Sequence, residues 1–165
     1  MKYETFSLEK SLLENGYSYI AGIDEAGRGC LAGPVVAAVV VISRDGQYLP
    51  GVWDSKVMSR KKREDVFEEI CDAADSYGIG AAEVEEVDGL GISSAGSLAM
   101  KRAYEGLDVR PDVVLIDGKR IKAPNLTSFK IKQGDRKHYV ISAASVLAKV
   151  YRDRLMTGQF VKYRP

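Results

Sequence analysis

The sequence predicts an α/β domain with a mixed central β-sheet flanked by helices. Three observations lead there. Apolar strand-like runs alternate with amphipathic helical segments along the chain. The run from Val35 to Ile42 is apolar at every position, which suits a strand only when both of its faces are covered. The stretch from Glu25 to Pro34 carries three glycines and a proline, so it should turn tightly and pair its flanking strands antiparallel.

The elements follow in order. Tyr19 to Asp24 reads as the first strand and Val35 to Ile42 as the second. Ser59 can cap a helix, because its hydroxyl can accept from a first-turn N–H, and Val66, Phe67, Ile70, Ala74 and Tyr77 then share one face. Gly78 should end that helix as a left-handed cap. Ile79 to Val87 reads as a weaker strand, and Ser93 or Ser94 starts a helix running to about Gly106. After Pro111 comes a short buried strand ending on Asp117, and Leu126 to Lys132 alternates enough to be another. Tyr139 to about Met156 forms the last helix, with Val140, Ala144, Leu147, Tyr151 and Leu155 at helical spacing. No repeat, low-complexity tract or linker interrupts this pattern, so residues 1–165 are read as a single domain.

Composition narrows the class. With 45% hydrophobic and 28% charged residues, the chain is neither disordered nor collagenous. Its longest apolar stretch, Leu31 to Ile42, contains Gly33 and Pro34 and is too short to span a bilayer. The first five residues carry an acid and no apolar core, unlike a secretory signal. Cys30 and Cys71 lie far apart, with no Cys/His spacing for zinc and no disulfide framework. A soluble, cytoplasmic protein without membrane contacts, acting as a monomer, is expected.

The net charge of +1 hides a segregation. Ten acids and no base fall between Glu64 and Asp88, whereas Lys119 to Lys137 holds seven Lys/Arg and one acid, Asp135. Arg60-Lys61-Lys62-Arg63 forms a second basic cluster after Lys56. On charge alone, such segments are solvated faces. Beside a site for polyanions they would attract phosphates.

Asp24 and Glu25 stand where an apolar strand runs into the Gly-rich turn, and Asp117 repeats that placement before Gly118. Strand C-terminal ends are where open α/β sheets gather their sites. If those two strands are neighbours, three negative charges converge, and such a cluster repels itself unless it shares protons or binds cations. Oxygen donors without His or Cys suit Mg²⁺ or Mn²⁺. Two such ions about 4 Å apart can clamp the attacking and leaving oxygens of a phosphodiester. A metal-dependent nuclease and a pair of solvated acidic turns both remain open at this point.

The motifs add a resemblance. Gly22-Ile23-Asp24-Glu25-Ala26-Gly27-Arg28-Gly29, then Leu31-Ala32-Gly33-Pro34-Val35-Val36-Ala37-Ala38, resembles the opening motif of the ribonuclease HII family, the type 2 ribonucleases H. Asp54-Ser55-Lys56, Leu115-Ile116-Asp117-Gly118, Gly134-Asp135 and the segment from Ser142 to Asp153 resemble the later motifs in order. The resemblance implies a ribonuclease H-like fold and an endonuclease with a two-metal mechanism. Its substrates would be the RNA strand of RNA/DNA hybrids and ribonucleotides embedded in duplex DNA, cut to leave a 3′-hydroxyl and a 5′-phosphate. It further implies that Asp24, Glu25, Asp117 and Asp135 are the catalytic acids and hold Mg²⁺ or Mn²⁺. Gly27, Arg28 and Gly29 would meet the ribose 2′-hydroxyl through their backbone, and Lys56 a phosphate.

Asp153, between Arg152 and Arg154, is the rival of Asp135 as fourth ligand and is read instead as supporting the ligands or structural, and Ser142 and Ser145 as serving the start and packing of the last helix. Cys30 stands where the family has proline, and Gly91 where it often has asparagine. The family's later His-Lys-Gly-Tyr-Gly-like segment has no match in Met156 to Pro165, and Tyr163 is not given its tyrosine's role. Weak cleavage of a single embedded ribonucleotide is therefore expected, and a non-catalytic or weakly active hybrid binder is the alternative. A dinucleotide enzyme fits poorly, because Gly96 is misplaced after Gly89 and Gly91. A Ser/His hydrolase fits poorly too, since His138 has no nucleophile elbow nearby and reads as a surface residue.

Overall fold

The computed structural model describes residues 7–52, 55–117 and 127–162, the side chains of 159–162 excepted. Asp54, Gly118, Lys119, Arg120, Lys122, Leu126 and Tyr163 lie outside the described residues. The chain runs α1 (Ser7–Glu14), β1 (Tyr19–Ala26), β2 (Val35–Ser43), α2 (Arg60–Ala73), β3 (Ser76–Ala82), α3 (Val84–Leu90), α4 (Ile92–Glu105), β4 (Val113–Asp117), β5 (Thr127–Ile131), a 3₁₀ turn (Gly134–Arg136) and α5 (Tyr139–Lys162). The five strands form one mixed sheet in the order β3-β2-β1-β4-β5. β1 pairs antiparallel with β2, as the intervening turn predicts, and parallel with β4.

The uniform apolarity of β2 has the expected cause. Val36, Ala38, Val40 and Ile42 face one layer with α2 and α5, while Val35, Ala37, Val39 and Val41 face α4. Helices thus cover both sides of the central strands, and alternation has no solvent face to record. α5 lies very close to β1. A Cβ on Gly22 would stand 2.2 Å from the Val140 carbonyl carbon and 2.4 Å from the Ile141 nitrogen. Only a residue without a side chain lets the helix backbone sit there.

Several boundaries differ from the sequence expectation. Ser59 caps α2 as predicted, accepting from the Lys62 N–H at 3.2 Å, but the helix stops at Ala73. Tyr77 and Gly78 belong to β3, and Gly78 is no helix cap. It makes room for α4, since a Cβ there would lie 2.1 Å from the Ala103 carbonyl oxygen. Residues 84–90 form helix α3 rather than strand. The acids that blur a strand pattern suit a helix N-terminus, and the Glu86 carboxylate accepts from the Glu83 N–H at 2.9 Å. α4 starts at Ile92 behind Gly91 rather than at a serine cap, and α5 continues beyond Met156 to Lys162.

α1 is unforeseen and corrects the reading of His138. Glu9 on α1 is fully buried, and its Oε2 lies 3.1 Å from His138 Nδ1, whose side chain is only 12% exposed. His138 is therefore an interior partner of Glu9, not a surface residue. Among the described residues, no helix is long and apolar enough to cross a membrane.

The Gly22 contact predicts that Gly22→Ala costs about 1–3 kcal/mol, as overpacked cores do. Urea unfolding should show a lower midpoint with an unchanged slope; a midpoint equal to that of the parent protein would mean that α5 does not need this close approach.

Candidate active site

Pairing β1 parallel to β4 places Ile23 beside Ile116, so Asp24 and Asp117 follow as neighbours at the C-terminal ends of adjacent strands. Their parity matters. Asp24 shares the face of Ile20, and Asp117 that of Leu115, which is the α5 side. Glu25 leaves β1 on the opposite face, where Arg28, Ser93, Gly96, Ser97 and Met100 line a small recess with it. Asp135 enters from the 3₁₀ turn after β5, on a chain steered there by Gln133 in the left-handed region at φ 56°.

Each acid has its own partners. Asp24 Oδ1 accepts from the Glu25 N–H at 2.8 Å, and the Ser145 hydroxyl is near enough to favour the ionised carboxylate. Ser55 Oγ lies 2.9 Å from Ser145 Oγ, extending this buried chain to the Ser55–Lys56 motif. Glu25 Oε1 accepts from Arg28 Nη1 at 2.8 Å, while its Oε2 is buried with no hydrogen-bond partner. Asp117 Oδ2 accepts from the Gly134 N–H at 3.0 Å, which ties β4 to the 3₁₀ turn. Asp135, its side chain 2% exposed, receives Lys56 Nζ at 2.6 Å.

Burial sets the charge state of this group. It pushes Asp24 up to about 8, helped by Glu25 and, less, Asp117, and only partly offset by Ser145 and the Glu25 N–H. Burial also raises Glu25, against the pull of Arg28, and raises Asp117, against the N–H groups of Asp135 and Gly134. Among the described residues, no three His, Cys, Asp or Glu side chains stand close enough to hold one ion in this arrangement.

The structure places Asp117 within electrostatic reach of both Asp24 and Asp135, with Glu25 on the other face of β1 and Lys56 beside Asp135. Gly27 turns the chain out of β1 at φ +109°, and Arg28 and Gly29 are exposed, with open space at Gly29 where a Cβ would be. Asp153 lies on α5 with Lys149 Nζ at 2.6 Å and Arg63 Nη2 at 3.7 Å. Ser142 helps start α5, donating to the carbonyls of Asp135 and His138. Ser145 is buried on α5 with its hydroxyl 2.9 Å from Ser55 Oγ. Its place in the Ser142–Asp153 motif was visible, but not its direction, which depends on the helix register over Gly22.

The architecture is that of the ribonuclease H-like nucleases, with carboxylates at the ends of adjacent central strands. The ribonuclease H2 structure from Pyrococcus horikoshii OT3 superposes with a TM-score of 0.75 at 29% identity, covering 88% of this chain and 77% of that one. Bst-RNase HIII in complex with Mn²⁺ shares the fold at a TM-score of 0.67 and 17% identity, over 86% of this chain and 54% of that one. The family described as Ribonuclease HII matches residues 21–163. Ribonuclease HII of Caldicellulosiruptor saccharolyticus is 48% identical over 152 residues, which is 92% of this chain and 74% of that protein. The chain belongs to the ribonuclease HII family, and with it to the ribonuclease H hydrolases.

A carboxyl whose folded pKa exceeds its unfolded value stabilises the fold at low pH and loses that contribution as pH rises. For Asp24 the loss runs from about pH 4 to about pH 8. In chelator, Asp24→Asn should melt higher than the parent at pH 8, by several degrees at roughly 2–4 °C per kcal/mol. The two should converge near pH 4. Calorimetry across that range checks it, and a variant that melts lower at pH 8 would contradict the burial argument.

Proposed function

We propose that this protein is a metal-dependent endonuclease acting on the RNA strand of RNA/DNA hybrids and on ribonucleotides embedded in duplex DNA. Cleavage on the 5′ side of the ribonucleotide would leave a 3′-hydroxyl and a 5′-phosphate. It would act as a monomer in the cytoplasm. The observation that carries this reading is the pair of carboxylates, Asp24 and Asp117, side by side at the ends of β1 and β4.

The residues suit a divalent cation. All four candidate donors are carboxylates, Glu25 Oε2 is buried without a partner, and burial together with the neighbouring acids strongly disfavours an ionised Asp24 in the absence of a cation. Asp24, Glu25, Asp117 and Asp135 would hold Mg²⁺ or Mn²⁺; Bst-RNase HIII is a Mn²⁺ complex. Bound ions would lower the pKa of an attacking water and neutralise the departing oxygen. The chain's own groups supply orientation. The Glu25 N–H orients Asp24, and the Gly134 N–H orients Asp117. Arg28 steadies Glu25. The Gly27-Arg28-Gly29 turn exposes backbone that can bond a 2′-hydroxyl, the group that separates ribose from deoxyribose. Lys56, with its side chain 68% exposed, would turn from Asp135 toward a phosphate.

Cleavage of a duplex bearing one ribonucleotide, and of a continuous hybrid, tests the reading. Both should be cut with Mg²⁺ or Mn²⁺ and neither in EDTA. Asp117→Asn should lower the rate by about 100-fold or more while the melting temperature holds or rises, and Asp135→Asn, which also gives up the Lys56 ion pair, should cost activity far more than stability. Turnover in EDTA, or an active Asp117→Asn protein, would overturn the site. Binding without cleavage would favour a non-catalytic hybrid binder.

A further inference from the structure

Two neighbouring residues on α5 reach in different directions and end on the two segments to which substrate contacts are assigned above. Arg152 is 5% exposed. Its Nε donates to the Pro34 carbonyl at 2.9 Å and its Nη2 to the Ala32 carbonyl at 2.8 Å. The guanidinium lies so close under the Gly27–Pro34 turn that a Cβ on Gly27 would stand 2.7 Å from Arg152 Nε. A Cβ on Gly33 would stand 3.1 Å from Nη2 and 2.4 Å from Met156 Sδ. Both glycines have positive φ, +109° and +96°, and Arg152 packs against both, joined at Gly33 by Met156.

Asp153 faces the other way, since consecutive helical residues diverge by about 100°. It accepts from Lys149 and stands 3.7 Å from Arg63 Nη2. Arg63 Nη1 in turn donates to the carbonyls of Ser55 at 2.9 Å and Met58 at 2.6 Å, the two sides of the turn that carries Lys56. Arg63 is itself mostly shielded, at 12% side-chain exposure.

We propose that Arg152 and Asp153 are positioning residues that set the spacing between the two substrate-contacting segments. Arg152 holds the Gly27-Arg28-Gly29 turn directly, and Asp153 holds the Lys56 turn through Arg63. Neither touches substrate. One turn of α5 acts as the common anchor, so ribose recognition and phosphate contact keep a fixed separation. A misplacement of about 1 Å can cost on the order of 100-fold in rate, which makes such an anchor consequential. This inference rests on the substrate contacts proposed above.

The test uses metal-free binding, measured by anisotropy, to two duplexes that differ by one ribonucleotide in place of a deoxyribonucleotide. Arg152→Lys keeps the charge and loses the forked pair of bonds to Ala32 and Pro34. Its affinity for the all-DNA duplex should stay the same, because that binding follows net charge. Its preference for the ribonucleotide should fall about tenfold, and amide exchange in residues 27–34 should quicken. Asp153→Asn separates positioning from charge by sign. Removing a negative charge should by itself tighten binding of a polyanion, whereas loosening the Lys56 turn should weaken binding to both duplexes equally. Unchanged ribonucleotide preference in a folded Arg152→Lys protein, or tighter binding by Asp153→Asn, overturns the proposal. If Arg152→Lys does not fold, the sign of the Asp153→Asn effect decides alone. If the parent protein shows no ribonucleotide preference, the substrate reading itself fails and the anchor falls with it. A parent preference that survives both variants condemns the anchor only.

Discussion

The approach of α5 to β1 at Gly22 governs the rest of the site. With the helix backbone against that glycine, the rotation of α5 about its own axis is set by contact rather than by loop length. Every group that α5 sends toward the site then has its direction fixed. Ser142 meets the 3₁₀ turn, Ser145 meets Ser55, and Arg152 lies under the Gly27–Pro34 turn. A bulkier residue at position 22 would lift the helix and move all of these together. The helix is thus the rear wall of the site and also its ruler.

The acids illustrate how a protein keeps like charges together without unfolding. Asp135 and Glu25 have cationic partners, Lys56 and Arg28, contributed by the segments proposed to meet substrate. Asp117 has backbone N–H groups. Asp24 is held by the neighbouring Glu25 N–H, a neutral donor, so burial acts on it with least opposition. The carboxyl nearest the middle of the sheet is accordingly the one displaced furthest from ordinary behaviour.

Much of this was legible in the sequence, for identifiable reasons. β1, β2 and β4 are marked by apolar runs that end in turns or acids, and the hairpin by its glycines and proline. Asp24 and Asp117 follow directly from those runs. What was hidden depends on contacts between distant segments. Gly78 looks like a helix terminator until Ala103 is seen above it, and His138 looks exposed until Glu9 arrives from α1. α3 was hidden differently: none of its residues is buried, so no apolar face announced it. The opposed directions of Asp24 and Glu25 needed only strand alternation, yet their adjacency in the motif suggests a pair. Arg152 was read as a charge beside Asp153, because nothing local says that its partners are carbonyls from the β1–β2 turn.

The strand order also imposes a schedule on assembly. β1 finds β2 across one short turn, a local and fast event, but its other neighbour, β4, arrives only after most of the sheet's remaining chain. Asp135 and α5 come later still. During synthesis on the ribosome, the hairpin bearing Asp24 and Glu25 can form while their partners are still unmade. Asp24 and Glu25 therefore meet Asp117 only once β4 has been made, and Asp135 later still, so the emerging chain keeps these acids apart until its sheet is nearly complete.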